Sequence, residues 1–184
     1  MKRAIATTVY MLFLLPAICS AQTLCQRHEI DYFSCGTRHG KIISVCGNIS
    51  SGVINEQSWL QYRFGKSEAV ELVYPTEKKG SISKFEGNTF NKYNFDDLRF
   101  INGNTFYAVT LMGLFSGEGA RVRKQVSGGV YVQQGVKPTN IACLNSSVGK
   151  YQGVFSELNR VLIENNGQTD FLEQYTAPLR KSDG

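Results

Sequence analysis

The chain has 184 residues, with 20 Lys+Arg against 15 Asp+Glu, two His, five Cys and four Pro. A hydrophobic share of 42% excludes wholesale disorder, and the length fits a single domain. Two histidines leave little room for a metal centre or a histidine-dependent nucleophile.

Residues 1–21 read as a secretory signal peptide. Lys2 and Arg3 supply the positive start, Val9 to Leu15 the apolar run, and Cys19-Ser20-Ala21 the small-residue cleavage site before Gln22. The run is too short for a membrane anchor, which needs roughly 20 apolar residues. No later stretch is apolar enough to span, so no transmembrane segment is expected after cleavage. Cleavage removes Lys2 and Arg3 and takes the formal charge from +5 to +3. So small a surplus does not mark a nucleic-acid binder. The expected product is one exported β-rich domain over 22–184, with a helical tail at about 147–176.

Cys25, Cys35, Cys46 and Cys143 remain after Cys19 is lost. An even set in an exported chain predicts two disulfides. Two strands, around Phe33-Ser34-Cys35 and Ile42 to Cys46, flank the turn at Arg38-His39-Gly40-Lys41. With Gly40-Lys41 as a two-residue loop, Cys35 faces Cys46; with His39-Gly40 as the loop, Cys35 faces Ser44. The first alternative gives the expected pairs Cys35–Cys46 and Cys25–Cys143.

Further strands follow. Leu60, Tyr62 and Phe64 share one face, with Trp59, Gln61 and Arg63 opposite. Val70, Leu72 and Tyr74 repeat the period of two until Pro75, and Ser81 to Phe90 is a weaker strand. Leu98 to Ile101 and Thr105 to Leu111 form a hairpin around Asn102-Gly103-Asn104. Gly128-Gly129 reads as a second turn, between Ala120–Val126 and Val130–Val132, and Asn140 to Leu144 as the last strand. The period then changes: Tyr151, Val154, Phe155, Leu158 and Leu162 mark an amphipathic helix, with Ser146 or Ser147 at its start and Gly167 at its end. The fold class is mainly β: an antiparallel meander, small barrel or sandwich with a C-terminal helix.

Catalytic patterns are sparse. Neither a metal-ligand set, nor a serine-nucleophile elbow, nor a phosphate loop occurs, and no cofactor is expected. Asp96, Asp97 and Glu118 stand among several carboxylates that no spacing forces into a pair. Arg121 and Arg123 share one strand face near the Gly128-Gly129 turn, where a basic row either protects a sheet edge or docks an acidic partner. The candidate binding residues are Arg38, His39 and Lys41 in the first turn, with Glu118, Arg121 and Arg123 in the later loop region.

The order Tyr32-Phe33-Ser34-Cys35, Gly40 to Cys46, Leu60 to Lys66, Glu71 to Pro75, Gly129 to Val132 and Ile141-Ala142-Cys143 resembles a largely uncharacterised group of small exported proteins of Gram-negative bacteria. The resemblance covers Tyr32 to Cys143 and implies a periplasmic, β-rich domain. A looser similarity of type is to periplasmic lysozyme inhibitors. The expected function is therefore non-enzymatic binding of another envelope protein, as an inhibitor or immunity protein against a cell-wall hydrolase or toxin. The alternatives are a carboxylate enzyme acting on wall polysaccharide and a structural subunit of an envelope assembly.

Overall fold

A computed structural model describes residues 23–50, 52–90, 94–116, 123–144 and 148–167, with 114–116 and 123–124 as backbone only. The signal segment, Glu118, Arg121, Ser146, Ser147 and the expected tail beyond Gly167 lie outside the described residues. Two antiparallel sheets form the body. The first runs in chain order: β1 (Ile30–Gly36), β2 (Ile42–Gly47), β3 (Leu60–Lys66) and β4 (Ala69–Tyr74). The second does the same: β5 (Glu86–Phe90), β6 (Phe95–Asn102), β7 (Thr105–Ser116), β8 (Arg123–Gln134) and β9 (Lys137–Ala142). A 3-10 turn over Val148–Tyr151 leads into α1 (Gln152–Asn166).

Alternation makes each sheet two-faced, and the apolar faces meet. On β3, Leu60 and Tyr62 are buried, with Phe64 packed against the same core. Across the sandwich Tyr62 lies 5.0 Å from Phe100 of β6, and Tyr74 stacks on Phe100 at 4.7 Å. Helix α1 buries Phe155, Leu158, Val161 and Leu162. Phe155 sits 5.4 Å from Phe33 of β1, so the helix fills the space the two sheets leave at that side. Gly87 of β5 allows this approach: a Cβ there would collide with the carbonyl of Asn159. Gly167 ends the helix with φ +83°, its N–H returning to Ile163 O.

The register corrects three expectations. Val70 is 45% exposed, although Leu72 and Tyr74 pack on the core. A bulge puts two β4 residues, Val70 and Glu71, in the step from Phe64 to Gly65 and turns Val70 outward. Gly128 and Gly129 are not a turn: β8 passes straight through them, and the chain reverses at Gly135-Val136. They are glycines because Phe33 lies 3.1 Å from where a Gly128 Cβ would sit, and Ile141 O lies 2.6 Å from one on Gly129. The segment Ser81 to Phe90 is a 3-10 turn over Ser81–Lys84 followed by the short β5.

The disulfides are a further correction. They join Cys25 to Cys46 and Cys35 to Cys143, replacing the expected Cys35–Cys46 and Cys25–Cys143. The β1–β2 loop has three residues, Arg38, His39 and Gly40: Thr37 N–H bonds Lys41 O, and Gly40 takes φ +68°. This is a type I turn followed by a left-handed glycine. Cys35 therefore faces Ile43, and Cys46 faces Asp31. Cys35 joins Phe33, Ile43 and Val45 in the core, whereas Cys46 shares the opposite face with Ser44.

Candidate functional site

The outer face of the first sheet carries polar side chains that the amino-terminal segment covers. Leu24 N–H donates to Ser44 Oγ, and the Ser34 and Ser44 hydroxyls are 2.8 Å apart. Arg63 projects from β3 under this segment. Its guanidinium grips both oxygens of Glu29, at 2.6 and 2.9 Å, and also donates to Leu24 O and Gln61 Oε1. Lys78 adds a third contact to Glu29 at 3.1 Å, while lying 3.8 Å above the Trp59 ring. Cys25, Glu29 and Cys46 form a candidate metal cluster among the described residues. The two sulfurs are joined and the carboxylate is engaged, so the cluster works as a staple.

Burial pushes the Glu29 carboxyl up, but Arg63, the Gln26 N–H and Lys78 outweigh it and hold the carboxyl at about 2. Its ordinary value is 4.5. A depressed carboxyl adds stability that is complete above the unfolded value and is lost as pH falls toward the folded one. The expected result is a loss of roughly 3 kcal/mol between pH 4.5 and 2 beyond the general acid effect. Urea midpoints of the parent and Glu29→Gln across that range check it. Parallel decline of the two curves would refute the assignment.

A second charge pair is buried on β6. Arg99 donates Nε and Nη2 to the two oxygens of Asp97, each at 3.0 Å, with the side chains 1% and 0% exposed. Its neighbour Asp96 points the other way and accepts from Thr89 and Ser156, tying β5 and α1 to β6. Tyr151 likewise donates to Asp31 at 2.8 Å. These carboxylates join elements of the fold to one another.

The β1–β2 loop differs. Arg38, His39 and Gly40 are exposed, and neither Arg38 nor His39 makes a side-chain hydrogen bond among the described residues. Lys41 is half-buried, 2.7 Å from Glu71 and 5.1 Å from the Phe64 ring centroid. The loop is held at its base. Thr37 bridges Cys143, Leu144 N–H bonds Gly36 O at 2.9 Å, and the Cys35–Cys143 disulfide crosses beside them. Arg38 and His39 thus form an exposed basic tip on a clamped stem, with Lys41 paired to Glu71 at its base. Of the later candidates, Arg123 begins β8 with only its backbone described, and Glu118 and Arg121 lie outside the described residues.

No family model, curated protein or solved structure matches the chain. No helix among the described residues is long and apolar enough to cross a membrane. The network at Glu29 and Arg63 leaves no signal in the sequence, because no spacing links residues that far apart. The Asp97–Arg99 pair did leave a signal, since opposite charges two apart share one strand face.

Proposed function

We propose that this chain is an exported, periplasmic binding module, an inhibitor or immunity protein that engages a cell-wall hydrolase or toxin through the Arg38–Lys41 tip. The observation that carries this reading is the clamp: an exposed basic loop whose base is fixed by the Cys35–Cys143 disulfide. A loop ordered before binding loses less entropy on association. Its charge suits the target. Glycosidases that cut wall polysaccharide hold two carboxylates in their cleft, and a cationic tip is complementary to that pair. The amino-terminal segment, read as a signal peptide, and the two disulfides support an oxidising compartment outside the cytoplasm.

The test is a panel of wall hydrolases, glycosidases and amidases, titrated with the oxidised protein in a peptidoglycan-clearing assay and by calorimetry. Inhibition of a panel member, weakened at least tenfold by Arg38→Glu, is the expected result; tenfold corresponds to about 1.4 kcal/mol. Arg38 is exposed, so the variant keeps the fold. Absence of binding across the panel, or equal binding by the variant, rejects the reading.

A further inference from the structure

Strand β9 closes the second sheet on one side and, among the described residues, pairs only with β8. Its hairpin with β8 has the two-residue loop Gly135-Val136, so Gln134 and Lys137 face each other next to the turn. That register alternates the backbone groups along β9. Lys137, Thr139 and Ile141 turn theirs toward β8, while Pro138, Asn140 and Ala142 turn theirs away. Two hydrogen bonds just past the strand confirm the phase. Cys143 N–H reaches inward to Gly128 O, and Leu144 N–H reaches outward to Gly36 O.

The outward bond at Leu144 shows what this edge accepts. The end of β1 sits there as an antiparallel neighbour, at the Thr37–Cys143 bridge. The chain then turns away into Arg38, His39 and Gly40 and, among the described residues, the rest of the edge is open. Asn140 and Ala142 are exposed; Asn140 presents both its N–H and its C=O to that open side, and Ala142 its N–H. Pro138 stands at an outward position, where its missing N–H costs no bond to β8.

The geometry points to this edge as the acceptor for an extended, acidic segment of a partner protein, which adds to the sheet as a tenth strand. The inference rests on the reading of the chain as a binding module and names the second element of the partner's contact. Charge selects the occupant. Residues 135–144 contain no acidic side chain; exposed Lys137 begins the edge, and exposed Arg38 and His39 stand beyond its end. A second copy would set Lys137 against a like-charged strand, so these charges also oppose self-pairing. Pattern follows from the pleat. Ile141 packs against the core while Asn140 and Ala142 are exposed, so the added strand would place apolar residues on the Ile141 side and polar ones on the other.

The probe is a synthetic array of fluorescent ten-residue peptides without proline, alternating apolar positions with Glu, Lys or Ser. Anisotropy ranks them against the oxidised protein, and amide hydrogen exchange locates the bound strand. The expected result is preference for Glu over Lys peptides by at least tenfold, with the Asn140 and Ala142 amides protected on binding. Asn140→Pro removes only an outward N–H and should weaken the best peptide at least tenfold; the disulfide map and thermal midpoint verify its fold. Ala142→Pro is the second such variant. The inference is overturned if no peptide binds, if Lys peptides bind as well, if both proline variants bind as the parent does, or if the two amides become protected only by self-association. A hydrolase that senses Arg38→Glu but not Asn140→Pro overturns the edge while leaving the proposed function standing. Peptide binding at the edge without any hydrolase binding does the reverse.

Discussion

Replacing Cys35 and Cys143 together by alanine will lower the unfolding free energy by about 5 kcal/mol, against about 3 kcal/mol for the Cys25–Cys46 pair. The difference comes from the chain each bridge closes. Cys35–Cys143 spans 108 residues, whereas Cys25–Cys46 spans 21. In the chain-entropy account the longer loop restricts the unfolded ensemble more. The two bridges also do different work when folded. One ties the first sheet to the end of the second; the other pins the amino-terminal segment over Arg63 and Glu29. Urea unfolding of both double variants measures the order, and a larger loss from the Cys25–Cys46 pair would refute it. Amide exchange at 38–40 should quicken in the first variant and not in the second, because only the first bridge stands at the loop's base.

The reach of sequence reasoning in this protein is set by parity. Where one face of a strand is apolar and the other polar, as at Leu60-Gln61-Tyr62-Arg63, the period of two places every side chain correctly. The turn at Gly103 and the cap at Gly167 are equally legible, because left-handed backbone there favours glycine. Errors enter where one residue more or less changes the face. The loop at Arg38-His39-Gly40 is one residue longer than the expected Gly40-Lys41 loop, and that places Cys35 in the core and Cys46 outside it. Both disulfides are exchanged as a result. Gly128-Gly129 misleads for a different reason: glycine serves close approach as well as turns, and only the position of Phe33 and Ile141 tells them apart. The basic tip was visible as a composition of exposed residue types. Its rigidity was not, since the clamp is made by Cys143, more than a hundred residues away in the chain.

Arg99→Met will destabilise the protein by about 3–5 kcal/mol, the cost of removing one partner of a buried ion pair. The argument starts from where the pair lies. Both side chains are buried, and the fork of Arg99 satisfies both oxygens of Asp97. Burial already pushes the Asp97 carboxyl above its ordinary value, and Arg99 works against that rise. Without the guanidinium the carboxylate is left charged in a dry site, so its affinity for a proton increases further. A carboxyl whose folded value is raised favours the folded state below the unfolded value, and that advantage disappears as pH rises through the folded value. The deficit of Arg99→Met relative to the parent should therefore narrow as pH falls from neutral. The double variant Asp97→Leu/Arg99→Met, which leaves no buried charge at these two positions, should recover part of the loss. Urea unfolding of the four proteins at pH 7 and pH 5 completes the cycle. A loss below about 1 kcal/mol, or a deficit that grows on acidification, would show that the pair does not hold this face of the sheet together.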